Sequence, residues 1–95
     1  MADASAAKAG EIDALRARAK ADPSDYQAGF DFAVAAFAAG DPEAAIEALL
    51  EIIRRNREWN EDAARTELLK IFDALGPTDD FTVAGRRKLS SILFS

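Results

Sequence analysis

The sequence predicts an all-α domain of about five helices arranged as antiparallel hairpins. Three observations point there. Apolar residues recur at helical spacing in five successive segments. Glycine, proline and aspartate stand between those segments, where helices stop and start. No segment shows the two-residue period of a strand. With only 5 glycines and 3 prolines in 95 residues, the alanine-rich chain has few helix breakers.

The first helix is expected over 11–21, where Ile12, Leu15 and Ala19 form one stripe. Pro23 follows just beyond its end. Ser24 or Asp25 then caps a second helix over 25–39. Tyr26, Phe30, Ala33 and Phe37 share a face, and Phe32, Val34 and Ala36 widen it. A helix so apolar on all sides belongs between neighbours. Gly29 inside it suggests close approach of another helix, because glycine there costs roughly 1 kcal/mol relative to alanine.

Gly40 suits the left-handed residue past a helix end, Asp41 suits an N-cap, and Pro42 suits the first helical position. The third helix carries Ala45, Ile46, Leu49, Ile52 and Ile53 on one face and Glu47, Glu51, Arg54 and Arg55 on the other. Asn60 is the expected cap of a fourth helix over 61–75, with Ala64, Leu68, Ile71, Phe72 and Leu75 as its stripe. Gly76-Pro77 ends it. Thr82 is the expected cap of a last helix over 83–94, which carries Val83, Leu89, Ile92 and Leu93.

Composition excludes several functions. The chain has no histidine and no cysteine, so disulfides, thiolate chemistry and the commonest general base are absent. A net charge of −5 argues against nonspecific binding to nucleic acid or anionic membranes. The basic runs Arg54-Arg55 with Arg57, and Arg86-Arg87-Lys88, read as solvated helix ends. The carboxylate pairs Glu61-Asp62 and Asp79-Asp80 read as helix-start charges rather than acid–base or magnesium sites. No apolar run approaches membrane-spanning length, and no signal peptide is visible in the sequence.

Helix, glycine turn, helix, then proline resembles a tetratricopeptide repeat, whose period is about 34 residues. With Gly40 on the glycine of the repeat's inner turn, Ala45 falls on the alanine of the second helix, and Ile46 and Leu49 on its apolar positions. Phe32-Ala33 fall on the leucine and small residue of the first helix. Pro23 falls on the closing proline of a preceding repeat, and Gly76 lies near one period beyond Gly40. Leu68-Leu69 and Phe72 then match Phe32-Ala33 and Ala36. The sequence departs from the pattern at Gly29, Ala36 and Ile52, which stand where tryptophan, tyrosine and a small residue are usual. The expected fold is thus a short tetratricopeptide-like right-handed array of half a repeat, one good repeat and one degenerate repeat.

Residues 51–95 carry a more specific resemblance. Arg57–Asn60, Ala63–Arg65, Phe72 through Pro77 and the ending RRKLSSILFS resemble the C-terminal region of bacterial thioredoxin-like co-chaperones of the chaperedoxin type. Residues 11–50 agree with the preceding region of that family. The resemblance implies a parent with a thioredoxin domain, absent here, that holds unfolded proteins and delivers them to a chaperone or chaperonin. This chain would be its non-enzymatic helical interaction module, in the cytoplasm, with residues 1–10 a linker or appended start, 11–95 a single domain and Phe94-Ser95 the natural terminus. Neither cofactor nor metal is expected. The expected partners are proteins, with no nucleic acid and no membrane. Homodimerisation of the parent is the alternative function.

Seven residues are candidates for partner binding. Phe30, Val34 and Phe37 recur at i, i+4 and i+7, on the side that in the repeat family is concave and docks segments. Otherwise a terminal helix fills that groove. Trp59, between two helices, is either a staple against Leu68 or the preceding helix, or a contact hot spot. Arg86, Arg87 and Phe94 belong to a last helix that acts as an end cap, a docking peptide or both, with Phe94 off the Leu89–Ile92–Leu93 stripe.

Overall fold

The computed structural model describes residues 4–94. They form five helices: α1 (Ala4–Ala21), α2 (Tyr26–Ala38), α3 (Pro42–Asn56), α4 (Ala63–Leu75) and α5 (Asp80–Leu93). The described residues contain no strand. α1 packs on α2, α2 on α3, and α3 also on α4 and α5, while α5 closes back on α4. The Cα extents are 45 × 31 × 19 Å. The short dimension accommodates two helix layers, since a helix with its side chains is about 10–12 Å across. The antiparallel hairpin array expected from the sequence is therefore the observed architecture.

α1 starts earlier than Glu11, taking in residues 4–10 of the segment read as a linker or appended start. Alanine-rich ASAAKA has high helix propensity, which hydrophobic periodicity does not register. Ile12 and Leu15 are partly buried against the core, and the Arg16 guanidinium lies 5.1 Å from the centroid of the Phe32 ring. In the turn to α2, Ser24 donates from both its hydroxyl and its backbone N–H to the Asp22 carboxylate, at 2.6 and 3.1 Å. The hydroxyl bond first, then the backbone bond, holds the Asp22 carboxyl below its ordinary value. With Ser24 so engaged, Asp25 is the cap, accepting from the Ala28 N–H at 3.1 Å.

The α2–α3 turn hinges on one residue. The Asp41 N–H donates to the Ala36 carbonyl at 2.9 Å, and the Gly40 N–H to Phe37 at 3.0 Å. This is a Schellman closure, made possible by Gly40 at φ +90°. The Asp41 carboxylate then accepts from the Ala44 N–H at 3.2 Å and caps α3, with Pro42 at the start of the helix. Asp41 thus ends one helix with its backbone and begins the next with its side chain.

α3 is the centre of the domain. Ala45, Ile46, Leu49, Ile52 and Ile53 are buried as the stripe predicts, and so is Leu50. A helix covered by α2 on one flank and by α4 and α5 on the other buries more than one stripe. Ala64, Leu68, Ile71 and Phe72 of α4, Phe32, Ala33 and Ala36 of α2, and Leu89 of α5 complete the core. Leu69 departs from the repeat frame: it is 40% exposed, whereas its counterpart Ala33 is fully buried.

Four caps or contacts differ from expectation. α4 begins at Ala63, not after an Asn60 cap. Asn60, Glu61 and Asp62 all have positive φ, at 50°, 56° and 66°, so the chain makes a left-handed turn before the helix starts. α5 begins at Asp80, capped by Asp79, whose carboxylate accepts from the Phe81 N–H at 2.8 Å. Thr82 is therefore not a cap but a fully buried residue of the first turn, and Val83, expected in the stripe, is exposed. Close packing at a glycine occurs at Gly85 rather than Gly29. A Cβ on Gly29 would stand at an ordinary 3.5 Å from Ile52, whereas one on Gly85 would fall 2.6 Å from the Phe72 ring.

Candidate functional site

The candidate residues lie in two regions. On α2, Phe30 and Phe37 are partly buried against the core, and Val34 between them is exposed. α2 is held between α1 and α3, which fixes the direction of this face. Trp59 joins it from the α3–α4 connection: its indole lies 5.6 Å from the Phe30 ring and 6.3 Å from Tyr26, in tilted and edge-on arrangements. Aromatic rings prefer such geometries. The structure thus sets Trp59 against the aromatic side chains of α2 and against the core. Phe30 is covered on one side by this contact, which leaves Val34 as the most accessible member of the trio.

The second region is α5. The Arg86 guanidinium stacks at 5.5 Å from the Phe72 ring centroid, so part of its surface is engaged in packing. Arg87 is exposed. Phe94 follows the helix and is 85% exposed, the most accessible large apolar side chain among the described residues. The Leu89–Ile92–Leu93 stripe packs inward, and Phe94 lies off it. The structure brings Phe30, Trp59 and Tyr26 together but does not join them to the α5 residues.

Charge distribution was the least legible feature. The Glu51 carboxylate receives Arg54 and Arg55 at 2.6 Å each. The Arg55 hydrogen bond, reinforced by Arg54, holds its carboxyl below the ordinary value despite some desolvation. Glu47 reaches instead across to Lys88 of α5 at 2.5 Å. That ion pair ties together helices whose charged runs are far apart in sequence. Among the described residues no three acidic, histidine or cysteine side chains gather as a metal site would require. No described helix is long and apolar enough to cross a membrane.

A family model of the tetratricopeptide repeat matches residues 5–94. The chain belongs to the tetratricopeptide repeat family. Repeats of this family generally mediate contacts between proteins and are typically non-enzymatic. The chain is also similar to a protein of Mycobacterium bovis and to counterparts in two strains of Mycobacterium tuberculosis, all described as uncharacterized. Identity is 37% over 67 residues, covering 63% of this chain and 22% of each relative. The chain thus spans less than a quarter of the length of these curated relatives. In the tetratricopeptide frame α2–α3 is the complete hairpin, α1 is the second helix of a preceding unit, and α4–α5 is the degenerate hairpin.

Proposed function

We propose that this tetratricopeptide chain is the protein-binding module of a thioredoxin-fused co-chaperone, and that it holds apolar client segments or a chaperone partner on α2. The supporting observation is the face of α2, where Val34 is exposed between the half-buried Phe30 and Phe37. Such a face offers apolar contact to an extended or helical segment, and Trp59 borders it as a rigid aromatic anchor. The resemblance of residues 51–95 to chaperedoxins supplies the co-chaperone part of the reading, together with a cytoplasmic location. Phe94, Arg86 and Arg87 offer a second contact for the chaperone at the end of α5.

The test is suppression of aggregation of a denatured client by the full-length parent. Val34→Ser, and the double variant Phe30→Ser/Phe37→Ser, are expected to reduce holding while circular dichroism shows an intact fold. Unchanged holding by a folded Val34→Ser protein rejects the α2 face. Removal of residues 86–95 in a pull-down separately tests the chaperone contact. Self-association is the second reading, favoured by the exposed apolar side chains Phe81 and Val83 on α5. Light scattering at low micromolar concentration decides it, and a strict monomer eliminates it.

A further inference from the structure

The connection between α3 and α4 is built unlike the others. The α1–α2 turn contains Pro23, the α2–α3 turn Gly40 with Pro42 following, and the α4–α5 turn Gly76 and Pro77. Residues 43–75 contain neither glycine nor proline. Yet Asn60, Glu61 and Asp62 all take the left-handed conformation, which costs backbone energy in any residue with a side chain. α2, α3 and α5 each begin on an aspartate whose carboxylate accepts from a backbone N–H, and α4 has no such cap. The buried residues of α3 and α4 are also in phase across the turn. Ile46, Leu49 and Ile53 of α3 and Ala64, Leu68 and Ile71 of α4 would form one stripe on an unbroken helix, because Ile53 and Ala64 are about three whole turns apart.

We propose that this turn is a strained hinge that opens into a continuous helix over 42–75, and that α4 and α5 then exchange with those of a second copy of the chain. A second copy is the occupant that fits, because its α3 carries the complement of α4 and α5. Two such helices lie antiparallel about a two-fold axis at the hinge, with α4 of each beside α3 of the other. Exchange remakes between chains the contacts of α3 with α4 and α5, the Lys88–Glu47 ion pair included. It removes three left-handed residues from each chain and gives the first N–H groups of α4 the carbonyls of the preceding turn. Short hinges under strain invite exchange of this kind. The straight helix also pairs charges that the turn keeps apart. Glu61 stands four residues from both Arg57 and Arg65, a spacing at which opposite charges meet on a helix. In the closed turn none of these three makes an ion pair with a described residue.

Trp59 holds the hinge closed. Its indole packs on Phe30 and Tyr26. Ile52 sits beside Gly29, one residue from Phe30. In a continuous helix Trp59 stands about 10 Å further along the axis than Ile52, and so leaves Phe30. Dilution also favours the closed chain, since exchange joins two copies. The closed monomer is thus the state of the dilute chain and the exchanged dimer that of the concentrated one. α4 and α5 must leave the core before they exchange, so the two forms interconvert slowly. Self-association through Phe81 and Val83 differs, because it needs no opening and reverses promptly on dilution. The hinge is also independent of any partner held on the α2 face.

The test is refolding of the intact chain from denaturant at millimolar and at low micromolar concentration, followed by size-exclusion light scattering. The concentrated sample is expected to give a dimer that persists on dilution, and the dilute sample a monomer. Glu61→Gly eases the turn and weakens the straight helix, whereas Asn60→Ala does the reverse. Glu61→Gly is expected to raise the dimer's dissociation constant, and Asn60→Ala to lower it, each by at least about tenfold, since two hinges open per dimer. In the variant Glu47→Cys/Lys88→Cys, a short bismaleimide cross-linker is expected to join the two chains of the dimer, but to close a loop within one chain of the monomer. Absence of a dimer at millimolar concentration overturns the proposal, as does the opposite ordering of folded Glu61→Gly and Asn60→Ala. A dimer whose cross-links stay within one chain overturns it in favour of a surface contact. A dimer retained by folded Phe81→Ser/Val83→Ser supports it, and a dimer lost in that variant moves the association to the α5 surface.

Discussion

Gly85 of α5 lies so close to Phe72 of α4 that a Cβ at position 85 would fall 2.6 Å from the ring's Cε1 and 2.7 Å from its Cζ. Phe72 is 1% exposed, so its neighbours oppose any turning of the ring, and Ile46 Cγ2 would lie 3.2 Å from the same Cβ. Gly85→Ala is therefore expected to destabilise the domain by about 1–2 kcal/mol: overpacking costs roughly 1–3, offset by up to about 1 from helix propensity. Gly29→Ala is expected to do the reverse, gaining about 0.5–1 kcal/mol, because its Cβ meets Ile52 at ordinary contact distance. Chemical denaturation of both variants checks the pair, and destabilisation by Gly29→Ala would contradict the geometry.

Trp59→Ala is expected to cost about 2 kcal/mol, from lost burial plus ring contacts worth roughly 0.5–1.5 kcal/mol per aromatic pair. The chain has 1 tryptophan, so intrinsic fluorescence reports this contact directly. Phe30→Ser should shift the emission to longer wavelength. An unshifted spectrum would place the indole elsewhere.

The left-handed turn at Asn60, Glu61 and Asp62 holds three residues in a region that glycine adopts most readily. Glu61→Gly is expected to stabilise by about 0.5–1 kcal/mol, because relief of backbone strain outweighs the extra freedom of the unfolded chain. Asn60→Gly should gain less, since asparagine already tolerates this region. Thermal unfolding of the two variants gives the ordering, and a larger gain at Asn60 would contradict it.

The Thr82 side chain is fully buried, and its hydroxyl has no hydrogen-bond partner among the described residues. Thr82→Val retains the shape and removes the unsatisfied group. A gain of about 1 kcal/mol is expected, read by denaturant titration. A loss would show that the hydroxyl is satisfied in solution.

Glu51 has a folded-state pKa below its ordinary value because of Arg55 and then Arg54. Its contribution to stability is present above the ordinary carboxylate range and is lost as pH falls through the folded value. The side chain is 45% exposed, so solvent screening limits the effect to a few tenths of a kcal/mol. Glu51→Gln should be slightly less stable than the parent at neutral pH, with the difference closing as the pH falls below the ordinary carboxylate range. A difference that widens on acidification would reverse the assignment.

Local chemistry was the legible part of this chain. Gly40, Asp41 and Pro42 announce their turn because capping depends on residues within a few positions of each other. The stripe of α3 was readable for the same reason, but Leu50 was not, since its burial depends on α4 and α5 covering a second flank. Gly29 and Gly85 look alike in sequence, and only the opposing helix distinguishes them. Val83 and Leu69 have core-type side chains in exposed places because the degenerate hairpin does not repeat the packing of the first. The pairing of Lys88 with Glu47 was hidden most completely: Lys88 reads as an ordinary helix-end charge, and only the packing of α5 on α3 brings the two together.

The junction at Asp41 leaves no slack between α2 and α3. One residue serves both helices, with no spare link to absorb rotation. α2 and α3 therefore form a single stiff lever, and α3 is seated on both α4 and α5. Rotation of α2 therefore passes to α3 rather than being taken up in a connecting loop.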